Sequence, residues 1–589
     1  MSEADWGAHP HSTGTRFAVR SSAPAAWLCL FDGEAETRHA MDRDGDRFTL
    51  DVPGAGPGTR YGYRTAHDPA KLLVDPYAQE LDRRFAHDPR LAMAGEDTTA
   101  LVPRAIVPAP FTAVSSAPLF RRGGLIYEAN VRALSLRHPH VPEALRGTVA
   151  ALAHPAIVAH LQRIRVCAIE LMPITAWIDE RHLPALGLSN AWGYNPVVPM
   201  ALDPGLCPGG VAELRDTVAA LREAGIGTIL DLVFNHSGES DVHGPTLSFR
   251  GLDPDGWYAR QSDGTLVNDT GTGNTLDFAR PEVRELTLAS LRHFAQIGVD
   301  GFRFDLAPIL ARAPTFDPHA PIFAEIAADP VLSTRVMIAE PWDCGAYCLG
   351  QFPDTWLEWN DRYRDDVRRF WRGDGSAGDL ATRVAGSSDI FHGAGTRSVS
   401  FVAAHDGFSL ADTVAHKARH NMANGEDNRD GHAHEIAWNN GVEGSTDDPA
   451  ILGRRAAAVR ALLATLFATK GTIMLCAGDE FGRTQQGNNN AYAQDNAITW
   501  LDWEGRDRSL EAFVAALAAF RARGNLADPG FLADGDWRDL AGHPLDGEGW
   551  GDAQGFELRV PDGGATLILR FDRPAIRVTL AHATILESR

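Results

Sequence analysis

The chain has 589 residues, of which 44% are hydrophobic and 22% charged. At roughly 100–200 residues per domain, that length allows about three domains with sizeable cores. The net charge is −22, from 55 Lys and Arg against 77 Asp and Glu, and no Lys/Arg-rich run occurs. Nucleic acid and anionic membranes are therefore not expected partners, whereas a neutral polymer meets no charge penalty. Of the six cysteines, Cys167 and Cys476 lie in apolar runs and read as small core residues, and Cys344 and Cys348 alone do not make a zinc site. The pattern suits a reducing cytoplasm. The start of the chain shows no charged-then-apolar leader, and no apolar run approaches the roughly 20 residues of a membrane span. The expected location is cytoplasmic.

Residues 1–105 carry short strand-like runs at 17–20, 26–31, 47–52 and 61–64, separated by Gly, Pro and Asp. This pattern predicts a β-sandwich. Residues 106–524 alternate strands with helices, which predicts a parallel (β/α)8 barrel. Strands are expected to begin at Leu125, Cys167, Gly227, Gly298, Arg335, Ser388, Ser398 and Gly471. Val211, Leu214, Val218 and Leu221 recur at helical spacing before a stop at Gly225. Val283, Leu286, Leu291 and Phe294 repeat that pattern. The surplus length falls in loops after the second, third and seventh strands, and long loops are usually functional. Residues 525–589 return to strand-like runs and predict a small C-terminal β domain. The fold class is thus α/β, a TIM barrel flanked by β domains at each end.

The run Gly298-Val299-Asp300-Gly301-Phe302-Arg303-Phe304-Asp305 is the most informative. Side chains alternate along a strand, so Arg303 and Asp305 face one way and Phe302 and Phe304 the other. An arginine and an aspartate on an inner face are costly unless they pair or do chemistry. At the carboxyl end of a barrel strand such a placement reads as catalytic. Three more apolar runs end in polar residues: Asp231 to His236, Glu340-Pro341-Trp342, and His405-Asp406. These four motifs, in this order, resemble those of the α-amylase superfamily (glycoside hydrolase family 13) over about residues 120–505.

A glycosidic bond needs an acid for the leaving oxygen and a group that stabilises an oxocarbenium-like centre. The resemblance implies Asp305 as nucleophile, Glu340 as acid/base and Asp406 as transition-state stabiliser. Arg303 supplies a counter-charge for Asp305, and Glu340 leaves an apolar strand for an apolar loop, so desolvation should raise its pKa. The family pattern gives His236 and His405 as donors to sugar hydroxyls and Tyr194 as the stacking tyrosine. Trp342 and Asn490 are further substrate-binding candidates. Asp231 has two readings, one at the substrate and one orienting His236 or Arg303. No cofactor is expected. Some relatives bind calcium, but Asn235 and nearby carboxylates do not establish a site, so no metal is expected.

Amide-rich loops at 268–274, 421–431 and 478–492 resemble those of isoamylase-type glycogen debranching enzymes of bacteria. Asn and Gln offer donors and acceptors to hydroxyls without charge. The N-terminal module is similar to the carbohydrate-binding module of such enzymes, and residues 69–78 to their linker. Two segments, 65–69 and 343–348, are shorter than the family pattern. The implied substrate is a branched α-glucan, either glycogen or phosphorylase limit dextrin, cleaved at α-1,6 branches with retention. An α-1,4-acting hydrolase or 4-α-glucanotransferase would share every catalytic residue, and a non-catalytic glucan-binding protein would need those carboxylates to be idle.

Overall fold

Short alternating runs near the start of the chain form strands β1 (Gly7–His11), β2 (Gly14–Arg20), β3 (Ala26–Asp32), β4 (Ala35–Ala40), β5 (Asp42–Asp44), β6 (Arg47–Pro53), β7 (Arg60–Thr65) and β8 (Ala105–Ile106). The computed structural model describes residues 6–532, 535–562 and 565–584, so both ends of the chain as read above lie outside the described residues. The eight strands make two antiparallel sheets, ordered β1-β2-β6-β5 and β4-β3-β7-β8. Phe17, Val19, Leu28, Phe31, Phe48, Tyr61 and Tyr63 fill a shared core, as in a β-sandwich. Ile178, Val197, Val198, Leu247 and Leu252, from loops of the next unit, enter that same core. The sandwich therefore buttresses the loops that follow the second and third barrel strands.

The barrel closes through eight parallel strands: β9 (Leu125–Ala129), β10 (Ala168–Leu171), β11 (Gly227–Leu232), β12 (Gly301–Phe304), β13 (Val336–Ala339), β14 (Leu357–Asn360), β15 (Ser398–Ser400) and β16 (Thr472–Cys476). Seven begin at or near their predicted positions. The sixth does not, because Ser388 lies in a turn and the sixth strand is Leu357–Asn360. The sequence hides this strand because two of its four residues are polar. Glu358 is buried and accepts from Arg397 Nη2 at 2.9 Å. Asn360 caps the helix Asp361–Arg372 by accepting from the Tyr363 N–H at 2.9 Å. The apolar Ile390 and Phe391 that suggested a strand instead follow the helix Ala377–Val384 and a left-handed Ser387 (φ +60°).

The two helices predicted by periodicity are Gly210–Glu223 and Pro281–Ile297. The second starts on proline and ends at Gly298, whose φ of +111° provides a left-handed cap. The long excursions follow β10, β11 and β15, at the carboxyl ends of the strands. After the barrel, β17 (Asp536–Arg538), β18 (Gly555–Asp562), β19 (Ala565–Asp572) and β20 (Arg577–Thr584) form one antiparallel sheet in sequence order. Its Phe556, Leu558, Leu569 and Phe571 pack into the core shared with the barrel. Cys476 is buried as expected, whereas Cys167, just before β10, is only half-buried. Among the described residues, no helix is long and apolar enough to cross a membrane.

Candidate active site

The parallel register sets the site. Asp231 on β11 is level with Arg303 on β12, and Phe304 is level with Ala339 on β13. The residues that follow these last two, Asp305 and Glu340, therefore emerge side by side at the barrel mouth. Phe304 points outward and stacks on Trp356 at 4.9 Å. Arg303 points inward, fully buried, with its guanidinium 4.3 Å from the Trp359 ring centroid.

One guanidinium gathers three carboxylates. Arg303 Nη1 donates to both Asp231 oxygens at 2.9 and 3.0 Å and to Asp305 Oδ1 at 3.0 Å. Its Nη2 lies 3.1 Å from Glu340 Oε2. Asp305 also accepts from Asn235 Nδ2 at 2.8 Å. Leu306, next in sequence, adopts the left-handed conformation (φ +42°, ψ +52°), which is strained for a side chain that carries no local hydrogen-bonding group. That turn aims the Leu306 N–H at Glu340 Oε2, 2.7 Å away. Burial pushes the Glu340 carboxyl up to about 8, although Arg303 pulls the other way.

Further residues complete a cleft of about 730 Å³, lined by Tyr194, His236, Asp305, Glu340, Trp342, His405, Asp406 and Asn490, among others. Tyr194 donates to Asp231 Oδ2 at 2.5 Å and stacks on His405 (4.9 Å, 20° between planes). The His405 N–H donates to Glu128 Oε2 at 2.8 Å, and its Nδ1 meets Glu128 Oε1 at 2.6 Å. Burial works against the imidazolium, but the Glu128 carboxylate outweighs it and raises the His405 pKa. His236 is the opposite case, because burial lowers it to about 4. Its Nε2 has no hydrogen-bond partner among the described residues, so this ring, which lines the cleft, retains an unused polar atom. Asp406 opens into the cleft with 42% of its side chain exposed and approaches His432 Nε2 at 3.1 Å. Asn490 donates to Asp430 at 3.0 Å.

Eight of the ten residues singled out from the sequence line this cleft. Arg303 and Asp231 lie beneath its floor instead, buried and bonded to each other, so Asp231 takes the orienting reading. Burial pushes Asp231 up to about 6 against the pull of Arg303. The sequence did not flag His432 or Glu128. Glu128 carried a weak signal, as a lone carboxylate ending the apolar run Leu125-Ile126-Tyr127, and His432, on a long loop, carried none. Asn235 bonds Asp305 through its nitrogen and His236 through its oxygen, which leaves its oxygen engaged. The short segment 343–348 is a tight turn in which Asp343 Oδ1 accepts from the Gly345 and Ala346 N–H groups at 2.7 and 2.8 Å and from Arg312 Nη2 at 2.7 Å.

Residues 5–78 match the family model described as carbohydrate-binding module 48, the isoamylase N-terminal domain. The chain is 45% identical over 585 residues to a glycogen debranching enzyme of Yersinia enterocolitica, covering 94% of this chain and 87% of that one. It is 44% identical to a glycogen debranching enzyme of Serratia proteamaculans, covering 94% and 89%. Among solved structures it resembles a type I pullulanase of Bacillus subtilis complexed with maltose, with a TM-score of 0.74 at 20% identity over 97% of this chain and 79% of that one. A pullulanase of an Anoxybacillus complexed with maltotriose gives 0.72 at 22% identity over 97% and 80%. These two likenesses concern the fold. The sequence relationship, nearly end to end, together with the four barrel motifs, means that the chain belongs to the glycogen debranching enzymes, isoamylase-type glycoside hydrolases of the α-amylase superfamily.

Proposed function

We infer that this protein hydrolyses α-1,6-glucosidic branch linkages of glycogen or its limit dextrin by retaining double displacement. The observation that carries this reading is that Asp305 and Glu340 share one buried guanidinium at the mouth of a sugar-sized cleft. A retaining pair stands about 5–5.5 Å apart, and two carboxylates bound to one guanidinium are suited to that closeness. Asp305 attacks the anomeric carbon while Glu340 gives its proton to the departing oxygen. Water then attacks the glycosyl-enzyme, and Glu340, now a carboxylate, takes the water's proton. The raised pKa of Glu340 suits it to hold that proton near neutral pH.

Asp406 and His432, both in the cleft, grip sugar hydroxyls and follow the charge that develops on the ring. Tyr194 presents its face to a sugar, held flat against His405. His236 offers its unused ring nitrogen to a hydroxyl. Trp342 and Asn490 extend the contact along the chain. Residues 1–105 serve as a glucan-binding module, 106–524 carry the chemistry, and the described residues from 525 onward form the closing β domain. Six free cysteines suit a cytoplasmic setting.

The test is incubation with phosphorylase limit dextrin and, separately, with linear maltoheptaose, the products being resolved by length. Release of short linear chains from the dextrin with the heptaose untouched supports α-1,6 debranching. Shortening or disproportionation of the heptaose would assign the protein to the α-1,4 class instead.

A further inference from the structure

The excursion after β15 carries a second cluster of chemistry-bearing side chains, away from the cleft just described. His416 and His420 follow the short helix Leu410–Thr413, and Glu443 lies on the returning arm of the same excursion. None of the three lines the glucan cleft. They face a separate cavity of about 770 Å³, walled also by Asp412, Arg455 and Thr484.

The donor atoms converge. Glu443 Oε1 lies 3.0 Å from His420 Nε2 and 3.5 Å from His416 Nδ1. The three donor atoms all lie within 4.8 Å of one another. In a tetrahedral zinc site with bonds of about 2.0–2.1 Å, neighbouring ligand atoms stand roughly 3.3 Å apart. The two measured edges bracket that value.

Three independent features point to an ion rather than to a chance surface group. First, His416 is buried (6% exposed), yet its Nδ1 has no hydrogen bond of acceptable geometry among the described residues. Such a buried nitrogen is costly without a partner. Second, the remaining nitrogen of the same ring lies 3.7 Å from Asp412 Oδ1. The carboxylate thus stands behind the ring at ion-pair rather than hydrogen-bond range, in the place of an outer partner of a ligating imidazole. Asp412 is itself buried and held by the Gln485 N–H at 2.7 Å and the Thr484 hydroxyl at 2.5 Å. Third, Gly487 faces both rings. A Cβ at that position would stand 2.6 Å from His416 Nδ1 and 2.8 Å from His420 Cδ2. Glycine thus keeps open the space beside the donor nitrogen.

Glu443 is fixed in place by the Lys417 N–H at 2.9 Å and by Asn439 Nδ2 at 3.1 Å. Arg455, which lines the same cavity, is turned to the carbonyls of Val442 and Gly444.

We propose that His416, His420 and Glu443 hold a zinc ion with water in its fourth position. The ion would join the outgoing and returning arms of the excursion. Between those arms lie Asn421, Asn424 and His432. Asn424 Nδ2 donates to the Asn490 carbonyl at 2.8 Å, and His432 meets Asp406. The staple would therefore steady one wall of the glucan cleft without touching substrate.

The test uses the full-length chain, stripped with a chelator and titrated with zinc chloride, followed by gel filtration and metal analysis. The expected result is one zinc per chain and a rise in Tm on zinc addition. Loss of an outer partner of a ligand costs roughly 10–100-fold in affinity, so loss of a ligand itself should cost more than ~100-fold. His420→Ala removes a ligand that is half exposed, so folding should survive it. Glu443→Gln keeps an acceptor for the backbone N–H groups and serves as the second variant, and both are checked by circular dichroism. The proposal is overturned if the native chain retains no stoichiometric zinc. It is equally overturned if either folded variant binds zinc as tightly as the native chain, because the ion would then sit elsewhere, for example on the cleft carboxylates.

Discussion

Replacing Glu340 with Gln separates the proton from the shape of the acid. The amide oxygen can still accept from the Leu306 N–H, now at 2.7 Å, and the side-chain volume hardly changes. The ability to protonate a leaving oxygen is lost. General acid catalysis contributes ~10²–10⁴-fold, which at 1.36 kcal/mol per decade is about 2.7–5.4 kcal/mol of barrier. Chain release from limit dextrin should fall by that factor with KM little changed, because Glu340 is one of many cleft contacts. An α-maltosyl fluoride, whose leaving group needs no proton, should still glycosylate Asp305, and azide should then restore turnover by replacing the water that needs a base.

The same variant makes a statement about stability. Burial raises the folded-state pKa of Glu340 from 4.5 to about 8. The native chain then keeps a proton that the unfolded chain releases near its ordinary value. That contribution is complete below about 4.5 and is lost as pH rises through about 8. Glu340→Gln cannot titrate, so its stability should decline less over this window, and the alkaline limb of its kcat/KM profile should disappear. A variant that loses less than ~10-fold on dextrin, a tenth of the smallest expected effect, would refute the acid assignment, as would an unchanged alkaline limb.

Asp305→Ala should fold, since Arg303 retains Asp231 and Glu340 as partners, but lose at least ~10⁴-fold in turnover, read by reducing-end release. Tyr194→Ala should raise KM for dextrin about 2- to 13-fold, as expected for loss of a stacking face worth roughly 0.5–1.5 kcal/mol, while Tyr194→Phe should change it little. His160 sits buried between Glu480 Oε1 (2.7 Å) and Glu511 Oε1 (3.1 Å). Burial opposes its charge, yet the two carboxylates raise its pKa above 6.5, so its stabilisation is full below 6.5 and fades as pH climbs through the raised value. His160→Gln should cost about 3–5 kcal/mol by urea denaturation at pH ~6 and clearly less at pH ~9.

Much of this site was legible because strand ends impose an order on residues. Asp305, Glu340 and Asp406 each follow an apolar run, so the sequence puts them at strand ends, where they line one cleft. The sixth strand was illegible for the complementary reason. Glu358 and Asn360 satisfy themselves through Arg397 and a helix cap, contacts that no window of local hydrophobicity can show. His432 was illegible because its partner Asp406 lies 26 residues away across an irregular loop. Asp231 was visible but ambiguous, since its partners, Arg303 and Tyr194, reach it only after the barrel closes.

The division of labour between the two catalytic carboxylates follows from counting donors inside the barrel. Glu128, Glu170, Asp231, Asp305 and Glu340 all lie in or just above it, and Arg303 and His405 are the cations that contact them. Five acids cannot all be charged beside two cations at low dielectric, so protons must remain on some of them. Glu128 has two contacts from His405, and Asp231 has Arg303 and the Tyr194 hydroxyl. Asp305 has Arg303 and the Asn235 amide. Glu170 has no hydrogen-bond partner among the described residues, and burial drives its pKa far up. Glu340 comes next, with one N–H and a single approach from the guanidinium. The protons therefore collect on Glu170, sealed inside the barrel, and on Glu340, which alone of the two lines the cleft where a leaving oxygen can take one.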